Sequence, residues 1–157
     1  MDIIFVRHGE TRENKKGVYG SLDTSLSQVG KKQILETKKQ IEKLSFENIY
    51  ISPLKRTVET AEILGVEGNF DGLFQGKTYE EIKKLYPEET TYWTKDYINY
   101  KMPEGESLLD LYNRTVDFLN DRIEEDKDAL VVTHEGVIIC ALCKIFDNVE
   151  HCYRFKV

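Results

Sequence analysis

Short apolar runs at three places along the chain predict buried β-strands. The runs are Asp2–Val6, Asn48–Ile51 and Ala129–Thr133. They do not alternate strictly between apolar and polar residues, which is the pattern of strands that are covered on both faces of a parallel sheet. The tail Tyr153–Val157 does alternate, and its pattern predicts one edge strand.

Helical periodicity occupies much of the chain between and after these runs. Ser52 and Pro53 are residue types preferred at the N-cap and the first position of a helix, so we predict that one helix begins there. The predicted helices are Ser27–Leu44, Ser52–Leu64, a short one from a capping box at Thr78–Glu81, Ser107–Glu124 and Gly136–Phe146. Strands that alternate with helices predict an α/β fold of three layers, a mainly parallel sheet with helices on both faces.

Length and composition indicate one ordinary globular domain over residues 1–157. The chain has 157 residues, of which 40% are apolar and 32% are charged, and this is enough apolar mass for one core. The first residues lack the basic start and long apolar stretch of a secretory signal, and no apolar run could span a bilayer. We therefore expect a cytoplasmic protein, and the three cysteines are expected as free thiols.

The net charge of −6 argues against nucleic acid and anionic membranes as partners. Six aromatic residues could form a base-stacking platform, but no basic stripe accompanies them. We expect these rings to pack as a helical cap over the functional site. They are Tyr79, Tyr86, Tyr92, Trp93, Tyr97 and Tyr100.

Cys140 and Cys143 form a C-x-x-C pair on the apolar helix predicted near the end of the chain. A metal site of this type needs a second pair of ligands, and buried thiols are common in cores. We expect both cysteines to be structural.

Each predicted core strand is followed at once by a polar cluster. The clusters are Arg7–Thr11, Ser52–Arg56 and His134–Gly136. In an open α/β sheet, the carboxyl ends of the strands form the ligand crevice. We therefore expect two histidines and two arginines, far apart in sequence, to meet at one edge of the sheet.

This combination of side chains suits a phosphate group. The guanidiniums of Arg7 and Arg56 offer forked donors that match a phosphate dianion. An imidazole beside them is kept neutral by the like charges, and its attack on phosphorus gives a phosphohistidine. A second imidazole can stabilise the equatorial oxygens of the transition state. A solvated Arg-His rim, or a core histidine at position 134, is the plainer alternative, but three such clusters together favour an anion site.

Five segments of the chain carry a resemblance to a known family. They are FVRHGETRENKKGVYGSLDTSLSQVGKKQ at 5–33, ISPLKRTVETAEIL at 51–64, LFQGKTYEEI at 73–82, GESLLDLYNR at 105–114 and LVVTHEGVI at 130–138. With them the chain resembles the histidine phosphatase superfamily, in the phosphoglycerate mutase-like branch that includes small bacterial α-ribazole phosphatases. The resemblance covers most of the chain and implies the fold of that branch.

The resemblance also implies the main residues of the site. His8 would be the phosphorylated nucleophile. Arg7, Arg56 and His134 would form the phosphate pocket with it.

Further residues are implied with supporting roles. Asn14 matches a further phosphate-side position, Ser21 belongs to a segment that would shape the substrate mouth, and Glu10 is expected to support the loop. The resemblance implies no metal and no cofactor. The expected partner is a small phosphorylated metabolite, and the protein is expected as a monomer or a homodimer.

The chain departs from the family pattern where the proton donor is expected. Family members carry a glutamate in the loop after the second helix, but segment 65–72 is shortened here and Gly68 stands at the expected position. A general acid must lie within hydrogen-bond reach of the leaving oxygen. Glu67, one residue away, is our predicted proton donor, with Asp71 and Glu135 as open alternatives. Because the chain also ends earlier than typical relatives, we expect fewer strands than in those relatives.

The leading hypothesis is a metal-independent phosphomonoesterase that hydrolyses a small cytosolic phosphate ester through a phosphohistidine. α-Ribazole 5′-phosphate or a sugar or other organic phosphate would fit this chemistry. A phosphoglycerate-type mutase is an alternative, although the insertions of family mutases have no room in this chain. A weakly active or non-catalytic phosphoester-binding protein is the third hypothesis, because the proton-donor loop is shortened.

Overall fold

The computed structural model of the protein describes residues 1–15, 23–70, 92, 95–101 and 106–157. The chain divides into two compact units, each made of two segments. The first unit contains residues 1–78 and 126–134, and the second contains residues 79–125 and 135–157. The four main site residues that the family resemblance implies lie in the first unit. They are Arg7, His8, Arg56 and His134.

One parallel sheet forms the centre of the first unit. Its strands, among the residues described, are β1 (Ile3–Arg7), β2 (Asn48–Ile51), β3 (Asn69–Phe70) and β4 (Ala129–Thr133). Their order is β1-β4-β2-β3, and every neighbouring pair is parallel. The prediction of an α/β fold with a mainly parallel sheet is confirmed.

The register of the sheet brings three strand ends to one edge. Arg7, the last residue of β1, pairs with Thr133, the last residue of β4. Ile51, the last residue of β2, pairs with Val132 of the same strand. The segments that follow β1, β2 and β4 therefore start at the same edge of the sheet.

Among its described residues, the first unit has three helices: α1 (Arg12–Lys15), α2 (Gln28–Ile41) and α3 (Lys55–Leu64). Helix α2 begins after Ser27, whose hydroxyl oxygen accepts a hydrogen bond from the backbone N–H of Gly30. Helix α3 ends at Gly65, whose φ of 77° is the left-handed conformation that favours glycine. The buried core of the sheet and these helices consists of Val6, Leu26, Ile34, Ile51, Ala61, Leu64, Leu130 and Val132.

The second unit contains α4 (Leu108–Glu125), α5 (Glu135–Ile145) and a 3₁₀ helix over Val149–Arg154. Helices α4 and α5 pack together, and α5 buries Cys140 and Cys143 completely. Burial raises the pKa of the Cys140 thiol to about 12, so this thiol stays protonated and unreactive. Both cysteines fill the interior, as expected for structural thiols.

Several predicted elements differ from the observed ones. The tail prediction is wrong, because its first residues end a 3₁₀ helix and no strand follows in the described residues. The shortened segment 65–72 does contain a strand, β3, which is only two residues long. Helix α3 begins at Lys55 with Leu54 at its N-cap, not at Ser52. The helix predicted from Thr78 lies outside the described residues, as do three of the six aromatic residues, Tyr79, Tyr86 and Trp93. None of the helices in the described ranges is long and apolar enough to cross a membrane.

Candidate active site

Backbone hydrogen bonds extend the sheet by one residue beyond two of its strands. The N–H of His8 donates to the carbonyl of Thr133 at 3.0 Å, and the N–H of Ser52 donates to the carbonyl of Val132 at 3.0 Å. His134 follows β4 directly, and its ring lies edge-on to that of His8, with centroids 5.2 Å apart and planes at 61°. The sheet thus brings the two predicted histidines together.

His8 is held as a neutral imidazole with a defined tautomer. Its ring is 8% exposed, and its Nδ1 lies 2.8 Å from the carbonyl oxygen of Gly9. Because a carbonyl only accepts, Nδ1 carries the proton and Nε2 keeps the lone pair. Burial, together with the positive charges of Arg56 and Arg7, lowers the pKa of His8 from 6.5 to about 4, against the opposing hydrogen bond to the Gly9 carbonyl. Near neutral pH, His8 is therefore an uncharged imidazole with its lone pair on Nε2.

Both predicted arginines act electrostatically at His8. Arg7 ends β1, and Arg56 lies in the first turn of α3 with only 9% of its surface exposed. Burial lowers the pKa of Arg56, and the nearby carboxylate of Glu13 raises it. A guanidinium remains charged under these conditions. The site therefore presents fixed positive charge beside His8.

The second histidine is held by a serine that the sequence analysis had assigned to a helix cap. His134 Nε2 lies 2.7 Å from Ser52 Oγ. The carbonyl of Ser52 in turn accepts a hydrogen bond of 2.7 Å from Thr57 Oγ1 in α3. Ser52 is the residue of this site that sequence reasoning missed, although its place directly after a predicted core strand was a signal for it.

The loop after His8 is fixed to helices α2 and α3. The carboxylate of Glu10 accepts a hydrogen bond of 2.7 Å from Ser27 Oγ, and the backbone N–H of Glu10 donates to Gln33 Oε1 at 2.9 Å. The N–H of Gly9 donates to Thr60 Oγ1 at 3.4 Å. Glu10 thus supports the loop, as expected.

Two other predicted binding residues have different outcomes. Asn14 is exposed at the surface of α1, where its Oδ1 accepts a hydrogen bond of 3.0 Å from Thr11 Oγ1 and its backbone N–H donates to the same oxygen. Its role in phosphate binding stays a prediction. Ser21 lies outside the described residues.

The register of β3 argues against Glu67 as the proton donor, a role that stays a prediction. Asn69 pairs with Tyr50, so Glu67 precedes β3 at the level of Asn48, at the amino-terminal edge of the sheet. Ser52 follows the opposite edge, about 13 Å away at ~3.3 Å per strand residue. Glu67 is exposed and lines an open surface cleft with Glu62, Gly65 and Val66.

The local packing also explains why residue 68 carries no acid. A Cβ atom on Gly68 would lie 2.3 Å from the backbone carbonyl oxygen of Ile49, so only glycine fits there. Of the two alternatives, Asp71 lies outside the described residues. Glu135 is the first residue of α5 in the second unit, and its role as an acid stays a prediction.

In the described part of the chain, no group of three or more His, Cys, Asp or Glu side chains could hold a metal ion. The site itself contains two imidazoles, His8 and His134, and the charges of Arg7 and Arg56 act on the first of them.

Comparison with known proteins places this geometry in a family. The model of the histidine phosphatase superfamily (branch 1) matches residues 3–157. The chain belongs to this superfamily. Solved structures with the same fold include the alpha-ribazole phosphatase of Shigella flexneri, with a TM-score of 0.84, 21% identity and coverage of 99% of this chain and 85% of that one. The phosphoserine phosphatase of Entamoeba histolytica matches with a TM-score of 0.79, 24% identity, and coverage of 99% and 85%.

More similar sequences are found among curated histidine phosphatase relatives. The 6-phosphofructo-2-kinase/fructose-2,6-bisphosphatase of Gallus gallus is 35% identical over 156 residues, which are 93% of this chain and 33% of the relative. Form 1 from Homo sapiens is also 35% identical over 156 residues, with the same coverage. The chain thus spans about a third of the length of these relatives. The family match shows membership of the superfamily, and the solved structures show that this chain shares their fold.

Proposed function

We propose that the protein is a metal-independent phosphomonoesterase that works through a phosphohistidine at His8. The observation that carries this proposal is the state of His8: it is buried and neutral, with its lone pair on Nε2, beside a second imidazole and two positive charges. Such a group is a nucleophile placed where a phosphate dianion is attracted.

The reaction takes place in two displacements. In the first, His8 Nε2 forms a bond to phosphorus, the ester P–O bond breaks, and the leaving oxygen takes up a proton. In the second, water attacks the phosphohistidine, the P–N bond breaks, and phosphate leaves with the proton balance restored by solvent. Arg7, Arg56 and His134 stabilise the equatorial oxygens in both steps, because phosphoryl transfer depends mainly on positioning and charge neutralisation.

The substrate class is a small phosphorylated metabolite, which the net charge of −6 favours over nucleic acid or an anionic membrane. The names of the curated relatives given above combine a kinase and a bisphosphatase activity, and the two-histidine site suits the second of these. Sugar phosphates are therefore the first class to test, with α-ribazole 5′-phosphate, phosphoserine and 3-phosphoglycerate as the comparison panel suggested by the structural neighbours.

A weakly active phosphoester-binding protein is a second candidate, which the position of Glu67 at the wrong edge of the sheet favours. General acid–base help contributes about 10²–10⁴-fold in rate. A protein without a proton donor would hydrolyse aryl esters, whose leaving groups need no proton, far faster than alkyl esters. Family-like rates on both ester types would exclude this candidate.

The direct test of the proposal is hydrolysis of p-nitrophenyl phosphate by His8→Ala, with His151→Ala as the matched control. We expect His8→Ala to lose at least about 10³-fold in kcat/KM, because it lacks the nucleophile. His151 lies in the 3₁₀ helix of the second unit, and its variant should keep the wild-type rate. Wild-type hydrolysis by His8→Ala would refute the phosphohistidine mechanism.

A further inference from the structure

The two displacements described above give no role to the hydrogen bond between Ser52 and His134. Ser52 Oγ lies 2.7 Å from His134 Nε2, and the two residues are 82 positions apart in sequence. Ser52 is partly buried. A contact of this length between side chains on two different strand ends fixes the orientation of the imidazole ring.

Hydrogen bonds of its backbone restrict the position of Ser52 at the edge of the sheet. Its N–H donates to the carbonyl of Val132 at 3.0 Å, so its backbone continues the ladder between β2 and β4. Its carbonyl accepts from Thr57 Oγ1 at 2.7 Å. Pro53 follows, and α3 begins only at Lys55 with Leu54 at the N-cap. The hydroxyl is thus left to His134, since no helix end uses it.

A hydroxyl is suited to hold an imidazole through a change of its charge. It can accept a hydrogen bond from a protonated ring nitrogen and can donate one to an unprotonated ring nitrogen. A carboxylate could do only the first, and a backbone N–H only the second. The ring of His134 can therefore keep its angle of 61° to His8 whichever form it takes.

We propose that Ser52 is a positioning residue of the reaction, which holds the imidazole of His134 in place beside the phosphoryl group on its way to His8. This inference rests on the proposed phosphohistidine mechanism and adds a residue to it. Ser52 acts through His134 and forms no bond to phosphorus. Through His134, Ser52 helps to stabilise the charge that develops in the transition state. It therefore affects the chemical step more than substrate binding.

The first arm of the test is steady-state hydrolysis of p-nitrophenyl phosphate by Ser52→Ala and Ser52→Thr. We expect Ser52→Ala to lower kcat about 10-fold and to change KM less than about 2-fold, because one hydrogen bond to a charged group is lost. Ser52→Thr keeps the hydroxyl and should recover most of the rate. Ser45→Ala, at an exposed serine between α2 and β2, is the matched control and should behave as wild type.

The second arm asks whether Ser52 acts through His134. In a His134→Gln background, Ser52→Ala should cause little further loss, since the two residues share one function. A serine that only stabilised the fold would instead lower the rate of the double variant by the same factor as in wild type. That additive result would overturn the proposal.

The third arm does not depend on activity. In ¹⁵N-labelled wild-type protein, the Nε2 resonance of His134 should shift on Ser52→Ala, and the Nδ1 resonance of His8 should not, because Gly9 holds it. If Ser52→Ala does not fold, Ser52→Cys has nearly the same size but a much weaker hydrogen-bonding group, and it should show the same loss of kcat.

These arms separate two failures. A wild-type protein that releases no phosphate from any ester would refute the proposed function, and the spectra would still test the hydrogen bond. An active wild type whose kcat is unchanged by Ser52→Ala or Ser52→Cys, or whose His134 resonance does not move, would overturn the role of Ser52 alone.

Discussion

At His8, three neighbours set the protonation state on which the proposed chemistry depends. Burial and the charges of Arg56 and Arg7 lower the pKa of this histidine to about 4, against the opposing hydrogen bond to Gly9. The ordinary value is 6.5, so a solvated histidine would be partly protonated under mildly acidic conditions, whereas His8 keeps its lone pair. The lone pair thus stays available for the proposed attack well below neutral pH.

The same shift predicts how stability depends on pH. Between pH 6.5 and about pH 4, the unfolded chain binds a proton at this residue and the native protein does not. The free energy of unfolding should therefore fall as the pH falls through this window, by about 3 kcal/mol more in wild type than in His8→Gln.

Urea denaturation of wild type and His8→Gln across this window measures the difference. His8→Gln serves as the reference because the other titrating groups are common to both proteins. Parallel stability curves would show that His8 titrates normally in the native state and would contradict the assigned neutral nucleophile.

A prediction about the proton donor also belongs to single residues. Glu67→Gln should leave kcat within about 2-fold of wild type on aryl and alkyl esters, because Glu67 lies at the opposite edge of the sheet. Asp71→Asn and Glu135→Gln are the comparison variants. If one of these residues supplies the proton, its variant should lose about 10²-fold or more on alkyl esters and little on aryl esters. A selective loss in Glu67→Gln would show that the β3 register does not describe the active protein.

Single residues also show where sequence reasoning succeeds and where it stops. His8, Arg7, Arg56 and His134 could be placed together because each follows or ends a strand, and parallel strands share one carboxyl edge. Ser52 could not be assigned to His134, because a serine before a proline carries an equally good cap signal. Only the register of β2 against β4 decides between the two roles.

At the scale of elements, a close contact between backbones fixes the loop after His8. A Cβ atom on Gly9 would lie 2.6 Å from the carbonyl oxygen of Gly30, and one on Gly30 would lie 2.1 Å from that of Glu10. Both distances are too short for any side chain. The loop that carries the nucleophile thus rests directly on the first turn of α2.

This contact predicts an unusual result for a glycine in a helix. Gly→Ala in a helix interior normally stabilises a protein by about 1 kcal/mol. Gly30→Ala should instead destabilise this one by about 2 kcal/mol, because the backbone of Glu10 must move, and it should lower activity by shifting the loop beside His8.

Thermal denaturation and hydrolysis of p-nitrophenyl phosphate check this result against Gly136→Ala. At Gly136, in α5, a Cβ atom would meet only a methyl group of Leu111 at 3.2 Å, which can rotate away. We expect that variant to keep or gain stability. A stabilised and fully active Gly30→Ala would contradict the described packing of the loop.

Long helices with a clear periodicity could be predicted from the sequence, and very short elements could not. The predicted helix Ser107–Glu124 is observed as Leu108–Glu125, and Gly136–Phe146 as Glu135–Ile145. The two-residue strand β3 is too short to show a pattern. The alternating pattern of the tail was misleading because local contacts favour another conformation. Asn148 Oδ1 caps the 3₁₀ helix by accepting a hydrogen bond of 2.8 Å from the N–H of Glu150, and Phe155 stacks on Phe146.

At the scale of the whole molecule, the two compact units are interleaved in sequence. Each consists of two segments, so the chain passes between them three times, after residues 78, 125 and 134. The family match over residues 3–157 extends across both units. We therefore still propose one domain over residues 1–157, as the sequence analysis predicted.

One domain should unfold in a single cooperative transition. Far-UV circular dichroism follows the helices and strands of both units, and near-UV circular dichroism follows the packing of their aromatic side chains. The two melting curves should coincide. Separate midpoints would show that the units unfold independently and that the single-domain prediction is wrong.

The central claim is that His8 takes up the phosphoryl group, and trapping the intermediate tests it most directly. A ³²P-labelled phosphate ester is mixed with the protein, and the reaction is stopped in alkali, in which phosphohistidine survives. We expect label on the peptide that contains His8 in wild type, and no label in His8→Ala. Hydrolysis by wild type with no label on His8, or label at another residue, would contradict the claim.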